Sequence, residues 1–364
     1  YDYDFNRLAA IHYPLNAAND VTYEYGAASL KGNGSNQVGR LVKVTDASGS
    51  QENHYGRLGE TVKEIRTIAS HTQGQSRNSP EVYTTRYRYD SFGRLLELVL
   101  PDSEVVTYVY DAGGSLESFA GDKQGTQVSY LNLVHYDKFE QRTTMKLGNG
   151  IETHYSYDPA SRRLDTLKSA GTRAGTFQNL HYGYDKVGNI LNLNNQVDVP
   201  PPTTFGGPNQ QSFGYDDLYR LTTAKGEYKS APDKTRNYTL DLTYDTNHNI
   251  LAKKQSDVVT VAGGSAIEQK GTSYDWSYAY EGRQPHAPTH IGNRSFRYDA
   301  NGNQTGWDSD VNGTRRFIQW DEENRIAEID DNGERNRYVY DAAGERVIKE
   351  TKQGETVYVN QYYV

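Results

Sequence analysis

The sequence has no cysteine among its 364 residues and only one methionine. A chain without cysteine has no disulfides, no thiolate nucleophile and no cysteine-based zinc site. Positive charge is also in deficit, because the chain has 39 lysine and arginine residues but 47 aspartate and glutamate residues, which gives a net charge of −8. This balance offers no electrostatic footprint for nucleic acid. Long apolar runs are also missing, and no stretch approaches the roughly 18 apolar residues of a membrane-spanning helix.

Helical patterning is nearly absent, since no long apolar stripe recurs with a period of 3.6 residues. Hydrophobic residues make up 35% of the chain, and 31 of them are tyrosine. So little aliphatic content argues against a thick core, whereas so many aromatic residues argue against disorder. Both observations fit a thin sheet in which aromatic side chains on neighbouring strands pack against one another.

A short phrase, Tyr-x-Tyr-Asp-x-x-Gly-Arg-Leu, recurs along the whole chain. Its clearest copy runs from Tyr87 through Tyr89, Asp90, Gly93 and Arg94 to Leu95. Other copies place an aromatic residue, an aspartate and a turn residue at Tyr110, Asp111 and Gly114; Tyr157 and Asp158; Tyr184, Asp185 and Gly188; Tyr298, Asp299 and Gly302; Trp320, Asp321 and Asn324; and Tyr340, Asp341 and Gly344. Such repetition is typical of an array, whose fold depends on how its units stack.

Each copy of the phrase encodes a strand, a turn and a return strand. Tyr87 and Tyr89 lie two residues apart and therefore share one face of a strand. Asp90 suits the first position of a type I turn, and Gly93 suits the left-handed position that follows it. Arg94 and Leu95 then begin the return strand. Asparagine replaces this glycine at Asn6 and Asn324, whereas Ser161, Tyr219 and His248 fit the left-handed position less well.

The number of hairpins predicts a curved sheet. About twelve hairpins give about 24 strands, or a ribbon of roughly 115 Å at about 4.8 Å per strand. Open sheets rarely exceed about ten strands without curling or splitting. We therefore predict an all-β fold in which tandem hairpins form one long, spirally wound antiparallel sheet. Residues 1–364 are expected to be a single region of this kind, and a fragment of a larger chain.

Four segments interrupt the repeats without ending them. Residues 70–80, 197–207 and 261–265 are polar or rich in proline and glycine, and they predict exposed loops. Between Tyr278 and His290 the phrase is lost altogether.

Motifs for chemistry are weak. The run from Asp308 to Gly313 opens like a calcium loop, but Gln319 stands where a bidentate glutamate is required, so a hairpin turn is the better interpretation. His286 and His290 have the spacing of zinc ligands on a helix, which two prolines at 285 and 288 disfavour. The glycine-rich run 32–35 lacks the lysine of a phosphate-binding loop. We therefore predict no catalytic residue, no metal and no cofactor.

The repeated Tyr-Asp-x-x-Gly-Arg-Leu units resemble the hallmark of the Rhs, or YD-repeat, proteins. Residues 147–150 leading into Tyr157 and Asp158, and residues 285–288 before Tyr298, are also similar to bacterial members. That family includes the B and C components of bacterial Tc toxins, polymorphic Rhs toxins and animal teneurins. The resemblance implies a hollow β-shell, or cocoon, around a C-terminal toxin polypeptide. Complete C components end in an Asp-Pro-x-Gly type of cleavage signature, whereas Asp158-Pro159 here belongs to a repeat, so no self-cleavage residues are assigned.

The leading hypothesis is a structural, non-enzymatic shell module of a secreted bacterial toxin. Its expected partners are the remainder of its own shell, the enclosed toxin polypeptide and other subunits of the toxin complex. A second hypothesis is a binding module of an extracellular surface protein that recognises carbohydrate or a receptor. A third is an enzyme hidden in the interruption at residues 278–290.

Overall fold

A computed structural model describes residues 1–27, 36–69, 80–201 and 206–364. The predicted glycine-rich motif at 32–35, residues 70–79 of the first predicted loop and residues 202–205 of the second lie outside the described residues.

The described chain consists of 30 strands and little 3₁₀ helix, mainly Ala17–Asn19. The strands are β1 Asp2–Asp4, β2 Arg7–Ile11, β3 Val21–Tyr25, β4 Leu41–Asp46, β5 Gly49–Tyr55, β6 Thr61–Ile68, β7 Glu81–Tyr89, β8 Leu95–Val99, β9 Val105–Tyr110, β10 Leu116–Lys123, β11 Thr126–Tyr136, β12 Arg142–Leu147, β13 Ile151–Tyr157, β14 Leu164–Gly171, β15 Gly175–Tyr184, β16 Ile190–Asn195, β17 Asn209–Tyr215, β18 Leu221–Ala231, β19 Lys234–Tyr244, β20 Ile250–Val261, β21 Ile267–Glu268, β22 Tyr274–Ala279, β23 His290–Ile291, β24 Arg294–Tyr298, β25 Gln304–Ser309, β26 Arg315–Trp320, β27 Ile326–Asp331, β28 Glu334–Tyr340, β29 Arg346–Thr351 and β30 Gly354–Val357.

These strands form one antiparallel meander of 30 strands. Successive strands are paired along the chain, except that β20 pairs with both the two-residue β21 and with β22. The all-β prediction is confirmed, although the repeat count underestimated the number of strands. The extra strands are short ones between phrases, such as β21 and β23.

The phrase folds as a hairpin whose turn contains a left-handed residue. In the clearest copy the Gly93 amide donates to the Asp90 carbonyl, the Asp90 amide donates to the Arg94 carbonyl, and Gly93 has a φ of 77°. Asn324 takes the same position with a φ of 58°. Tyr219 does so as well, with a φ of 61°, although its side chain fits that conformation poorly.

Two copies of the phrase depart from the predicted turn. At the start of the chain Asp4 pairs directly with Arg7, and both Phe5 and Asn6 are left-handed, so this loop has two residues. After Asp158 the loop is one residue longer than predicted. Its left-handed residue is Arg162, with a φ of 61°, and not Ser161.

The sheet curls until its two ends meet. At the usual spacing of about 4.8 Å, the path from β6 to β29 is about 110 Å long. Nevertheless, Ile68 of β6 packs against Val347 and Ile348 of β29, and all three side chains are at most 3% exposed. We call this contact between early and late strands of the sheet the seam. Tyr83, Val339 and Val357 are partly buried against this hydrophobic cluster.

Polar contacts extend the seam in both directions. The Arg66 guanidinium lies 3.1 Å from the Asp341 carboxylate, and the Ala342 amide donates to the Asp46 carboxylate at 2.8 Å. Further seam bonds join Asn360 to Thr85, Tyr13 to Glu323 and Asn19 to Glu322. Because partners 275 to 310 residues apart meet here, the predicted spiral curvature is a property of the described chain.

Candidate functional site at the hairpin joints

Each phrase aspartate closes its own turn through backbone amides. The Asp90 carboxylate accepts hydrogen bonds from the amides of Phe92 and Arg94, at 2.8 and 3.0 Å. The same pattern recurs at Asp137, Asp216, Asp245, Asp299, Asp321 and Asp341. At Asp216 the bond from the Arg220 amide holds the pKa of the carboxyl below its usual value, because it favours the charged form.

The residue after the turn supplies a second bond to this aspartate. Arg94, Arg220 and Arg325 each direct Nε to the aspartate four residues earlier, at 2.6 to 2.7 Å. Where asparagine takes this place, at Asn189, Asn249 and Asn303, its side-chain amide donates to the same aspartate oxygen at 2.7 to 3.0 Å. In these six copies the position supplies a side-chain N–H donor, and either residue type can do so, whereas Ser115 and Glu345 bond to their aspartates through the backbone amide.

The last aromatic residue of the phrase joins its hairpin to the one before. The Tyr110 hydroxyl donates to the Leu95 carbonyl, at or near the start of the preceding return strand, at 2.8 Å. The ladder between β8 and β9 ends at Glu97 and Thr107, so this carbonyl lies beyond the last paired residues. Equivalent bonds run from Tyr25, Tyr55, Tyr136, Tyr157, Tyr184, Tyr215, Tyr244, Tyr280, Tyr298 and Tyr340, and from the indole of Trp320.

We call the contact between two successive hairpins, made by this tyrosine, a joint. Arginine completes the joint by covering the ring of the next tyrosine. The Arg220 guanidinium lies 4.6 Å from the centroid of Tyr244, and its Nη1 donates to the Asp245 carbonyl at 3.1 Å. Comparable ring contacts join Arg94 to Tyr110, Arg163 to Tyr184 and Arg325 to Tyr340. Arg220 thus binds its own turn, the next ring and the next backbone, so a joint with this arginine restrains the angle between two hairpins.

The phrase tyrosines use their rings differently from the prediction. Tyr87 stacks on Tyr89, and Tyr182 on Tyr184, along the same strand, with centroids 6.4 and 6.2 Å apart. Rings do ladder between paired strands at Tyr108, Phe119 and Tyr130. The tyrosine side chain reaches the neighbouring hairpin mainly through its hydroxyl, which pattern analysis cannot assign to a partner.

The interruption at residues 278–290 contains a joint, although the repeated phrase is missing there. Tyr280 donates to the Ile250 carbonyl at 3.0 Å, as the phrase tyrosines do, although no Asp-x-x-Gly follows it. The loop after it folds back onto the previous turn, where His286 is hydrogen-bonded to Asn249 at 2.7 Å. His290 lies in β23, so the two histidines share no helix. These contacts are hydrogen bonds between hairpins, and they add no support to the hypothesis of an enzyme in this segment.

The calcium-like run is a hairpin turn. Asp308, near the end of β25, forms an ion pair with Arg297, and Asp310 accepts a hydrogen bond from Ser295. Across the described ranges, no group of three or more histidine, aspartate or glutamate residues is placed to hold a metal ion. Within the same ranges, no helix is long and apolar enough to span a membrane.

A large polar cleft lies beside the seam. It measures about 970 Å³ and is lined by Tyr87, Tyr89, Glu64 and Arg66 on one side and by residues 341–347 and 358–362 on the other. Burial raises the pKa of Glu64, and the neighbouring Arg66 opposes that shift. The cleft shows that the two layers meet at the seam without filling the space between them.

Comparison with known proteins gives sequence relatives for about half of the chain, and no family model matches it. The toxin subunits YenC1 and YenC2 of Yersinia entomophaga are 29% and 27% identical to it over 198 and 208 residues. These matches cover 48% and 50% of this chain, but only 20% and 21% of the two relatives. The chain therefore matches about a fifth of each relative's length.

Solved structures with the same fold cover nearly the whole chain. The TcdB2–TccC3–Cdc42 complex matches 93% of it with a TM-score of 0.66 and 18% identity. The Photorhabdus luminescens Tc holotoxin pore matches 96% with a TM-score of 0.64 and 18% identity. In each case the match covers 19 to 20% of the solved chain. The chain is thus similar in sequence, over about half of its length, to Tc toxin subunits, and it shares its fold with chains of solved Tc toxin complexes.

Proposed function

We propose that residues 1–364 form one section of a YD-repeat shell that encloses a toxin polypeptide in a secreted bacterial toxin. The observation that carries this proposal is the seam, because a sheet that returns to its own start surrounds a space. The relatives named as toxin subunits, and the Tc complexes of the same fold, support the assignment to a toxin. Within the proposal, the partners are the rest of the shell, the enclosed polypeptide and other subunits of the complex.

The proposed mechanism is confinement and needs no catalytic residue. A wall must hold its curvature, and the joints supply this because each arginine fixes two successive hairpins. It must also remain wettable on both faces. The chain is suited to this, since its strands are mostly half-buried and few large side chains are fully buried. The phrase residues predicted from the sequence are proposed to act here as wall-forming positions, from Tyr87 to Gly344.

Electron microscopy and protease protection of the natural full-length protein test the proposal together. We expect a hollow particle, and an enclosed polypeptide that resists protease until denaturant opens the shell. A solid particle would contradict the proposal, as would cleavage of that polypeptide at the rate seen in unfolded protein. The variant Asp341→Asn, which removes one charge of the seam pair, should speed cleavage relative to the unaltered protein.

A further inference from the structure

A second cleft, distant from the seam in sequence, lies across β17 to β20. Its volume is about 420 Å³. The strands β18, β19 and β20 have 11, 11 and 12 residues and are among the longest in the sheet. The cleft occupies the halves of β18 and β19 that lie away from the phrase turns at Asp216 and Asp245. Tyr238 lines it and lies six residues before Tyr244, so the cleft is on the face that carries the phrase tyrosines.

An aromatic ring forms the floor of this cleft. Tyr238 is paired with Gly226 across the two strands. A Cβ atom at residue 226 would lie 2.2 Å from Cε1 of Tyr238, so the ring lies against the bare backbone of the glycine. The Tyr238 hydroxyl donates to Gln211 at 3.2 Å. A ring held in this way presents its opposite face to the cleft as a fixed apolar platform.

The charges in the cleft cancel. Asp257 is 3% exposed and accepts a bond from Arg236 Nε at 2.8 Å, a second from Arg236 Nη2, and one from the Thr272 hydroxyl at 2.6 Å. The Glu227 side chain lies on the opposite face of β18 from Tyr228 and pairs there with Lys229 at 3.5 Å. A site whose cation is already neutralised by a buried carboxylate is poorly suited to a phosphate or another anion.

The remaining polar lining consists of side-chain amides and hydroxyls. Asn209, Gln211 and Gln255 each carry both a donor and an acceptor, as a sugar hydroxyl does. Gln255 is held by Thr272 and Tyr274, whereas Asn209 and Gln211 meet at 3.5 Å along the cleft wall. Tyr228 closes one side and is fixed by a bond from its hydroxyl to the Gly206 carbonyl at 2.8 Å.

We propose that this cleft binds one or two units of a neutral saccharide. The apolar face of a sugar ring would lie on Tyr238, and its hydroxyls would exchange hydrogen bonds with Gln211 and Asn209. The exposed edge of Arg236 offers a further donor. The volume is within the range of about 300–1,000 Å³ of small-molecule sites, which combine aromatic walls with a few placed polar groups. This proposal does not depend on the shell function and would hold for a wall section of any cargo.

Saturation-transfer NMR on the purified chain tests it, with cellotriose, maltotriose, lactose and N,N′-diacetylchitobiose as probes and a sulfated heparin disaccharide as the charged comparison. We expect transfer to the ring protons of at least one neutral probe and none to the sulfated one. Gln211→Ala, which removes the amide and its bond to the Tyr238 hydroxyl but keeps the ring against Gly226, should weaken binding of that probe by about tenfold, as expected for a site whose polar groups fix the ligand. Tyr238→Phe keeps the ring and should weaken binding less.

Tyr130→Ala is the matched control, because Tyr130 also lies against a glycine, Gly121, but outside this cleft. It should leave binding unchanged, and circular dichroism should show all variants folded. Three results would overturn the proposal: no transfer to any neutral probe, preference for the sulfated probe, or binding that Gln211→Ala leaves intact in a folded protein.

Discussion

The Tyr110 hydroxyl donates a hydrogen bond to the backbone carbonyl of Leu95, one strand back along the sheet. This bond recurs from Tyr25 to Tyr340 and converts a row of independent hairpins into a wall with fixed joints. Tyr110 shares its joint with Arg94, whose guanidinium lies 4.9 Å from the ring centroid. The YD phrase is therefore a unit of two hairpins, because the aspartate and arginine of one act with the tyrosine of the next.

The hydroxyl bond can be tested by Tyr110→Phe. The ring and its contact with Arg94 remain, while the Leu95 carbonyl loses its donor. We expect the free energy of unfolding to fall by about 1 kcal/mol, the usual net value of such a bond. Urea unfolding followed by circular dichroism measures it. Tyr3→Phe is the control, because Tyr3 is 66% exposed, and it should change nothing. Equal effects of the two variants would refute the joint.

Variants of Arg220 can separate the two roles of the joint arginine, which are its bond to the turn aspartate and its contacts with the next hairpin. Arg220→Ala removes the bond to Asp216, the contact with Tyr244 and the bond to the Asp245 carbonyl. We expect a loss of about 1–2 kcal/mol for these partly exposed contacts. Arg220→Asn should lose less, because asparagine at Asn189 and Asn303 keeps the bond to the turn aspartate.

Arg88→Ala is the control for this pair of variants. Arg88 forms an exposed ion pair with Glu97, and such pairs contribute about 0–1 kcal/mol. Chemical unfolding of all three proteins in the same buffer gives the comparison. The account of the joint fails if Arg220→Ala is no more destabilising than Arg88→Ala.

The turn glycine can be tested by Gly93→Val. With a φ of 77° and no atom within 4 Å of an added Cβ, the position has room for a side chain but an unsuitable backbone for a β-branched one. We expect destabilisation of about 1–2 kcal/mol from backbone strain alone. Gly93→Asn should be milder, as asparagine adopts this conformation at Asn324. An unchanged unfolding midpoint for the valine variant would mean that the turn has another geometry.

How much the sequence reveals depends on the range of the interaction. The turn at Asp90 and Gly93 is local, so residue preferences predicted it. The joint was not predicted from the sequence, because the hydrogen-bond partner of a tyrosine hydroxyl depends on the register between two hairpins. A signal was present: the residue after the turn is arginine or asparagine, both N–H donors, at Arg94, Asn189 and Arg220. The seam pair Arg66 and Asp341 lies 275 residues apart, and no local pattern specifies it.

Stability should fall steeply in alkali. Burial raises the pKa of Tyr184, Tyr215 and Tyr244, and that of Tyr108 to about 12. A folded pKa above the unfolded value of about 10 stabilises the fold fully below pH 10, and this stabilisation is lost as the pH rises through the folded values. We therefore expect cooperative unfolding above about pH 10, with tyrosinate absorbance at 295 nm rising together with the loss of β-sheet signal. Ionisation of most tyrosines near pH 10 with the sheet intact would contradict the buried joints.

The sheet returns to its own start, and the absence of cysteine allows this closure to be measured with spin labels. Spin labels at Thr45→Cys and Ala343→Cys lie next to Asp46 and Ala342, which bond across the seam at 2.8 Å. Double electron–electron resonance on the folded chain should give a distance below about 30 Å, since each labelled residue is only about 3.8 Å along the chain from the contact. An open ribbon would instead separate the labels by roughly 110 Å, at about 4.8 Å per strand, and give no such short distance. That second result would show that the hairpins form a strip and not a wall.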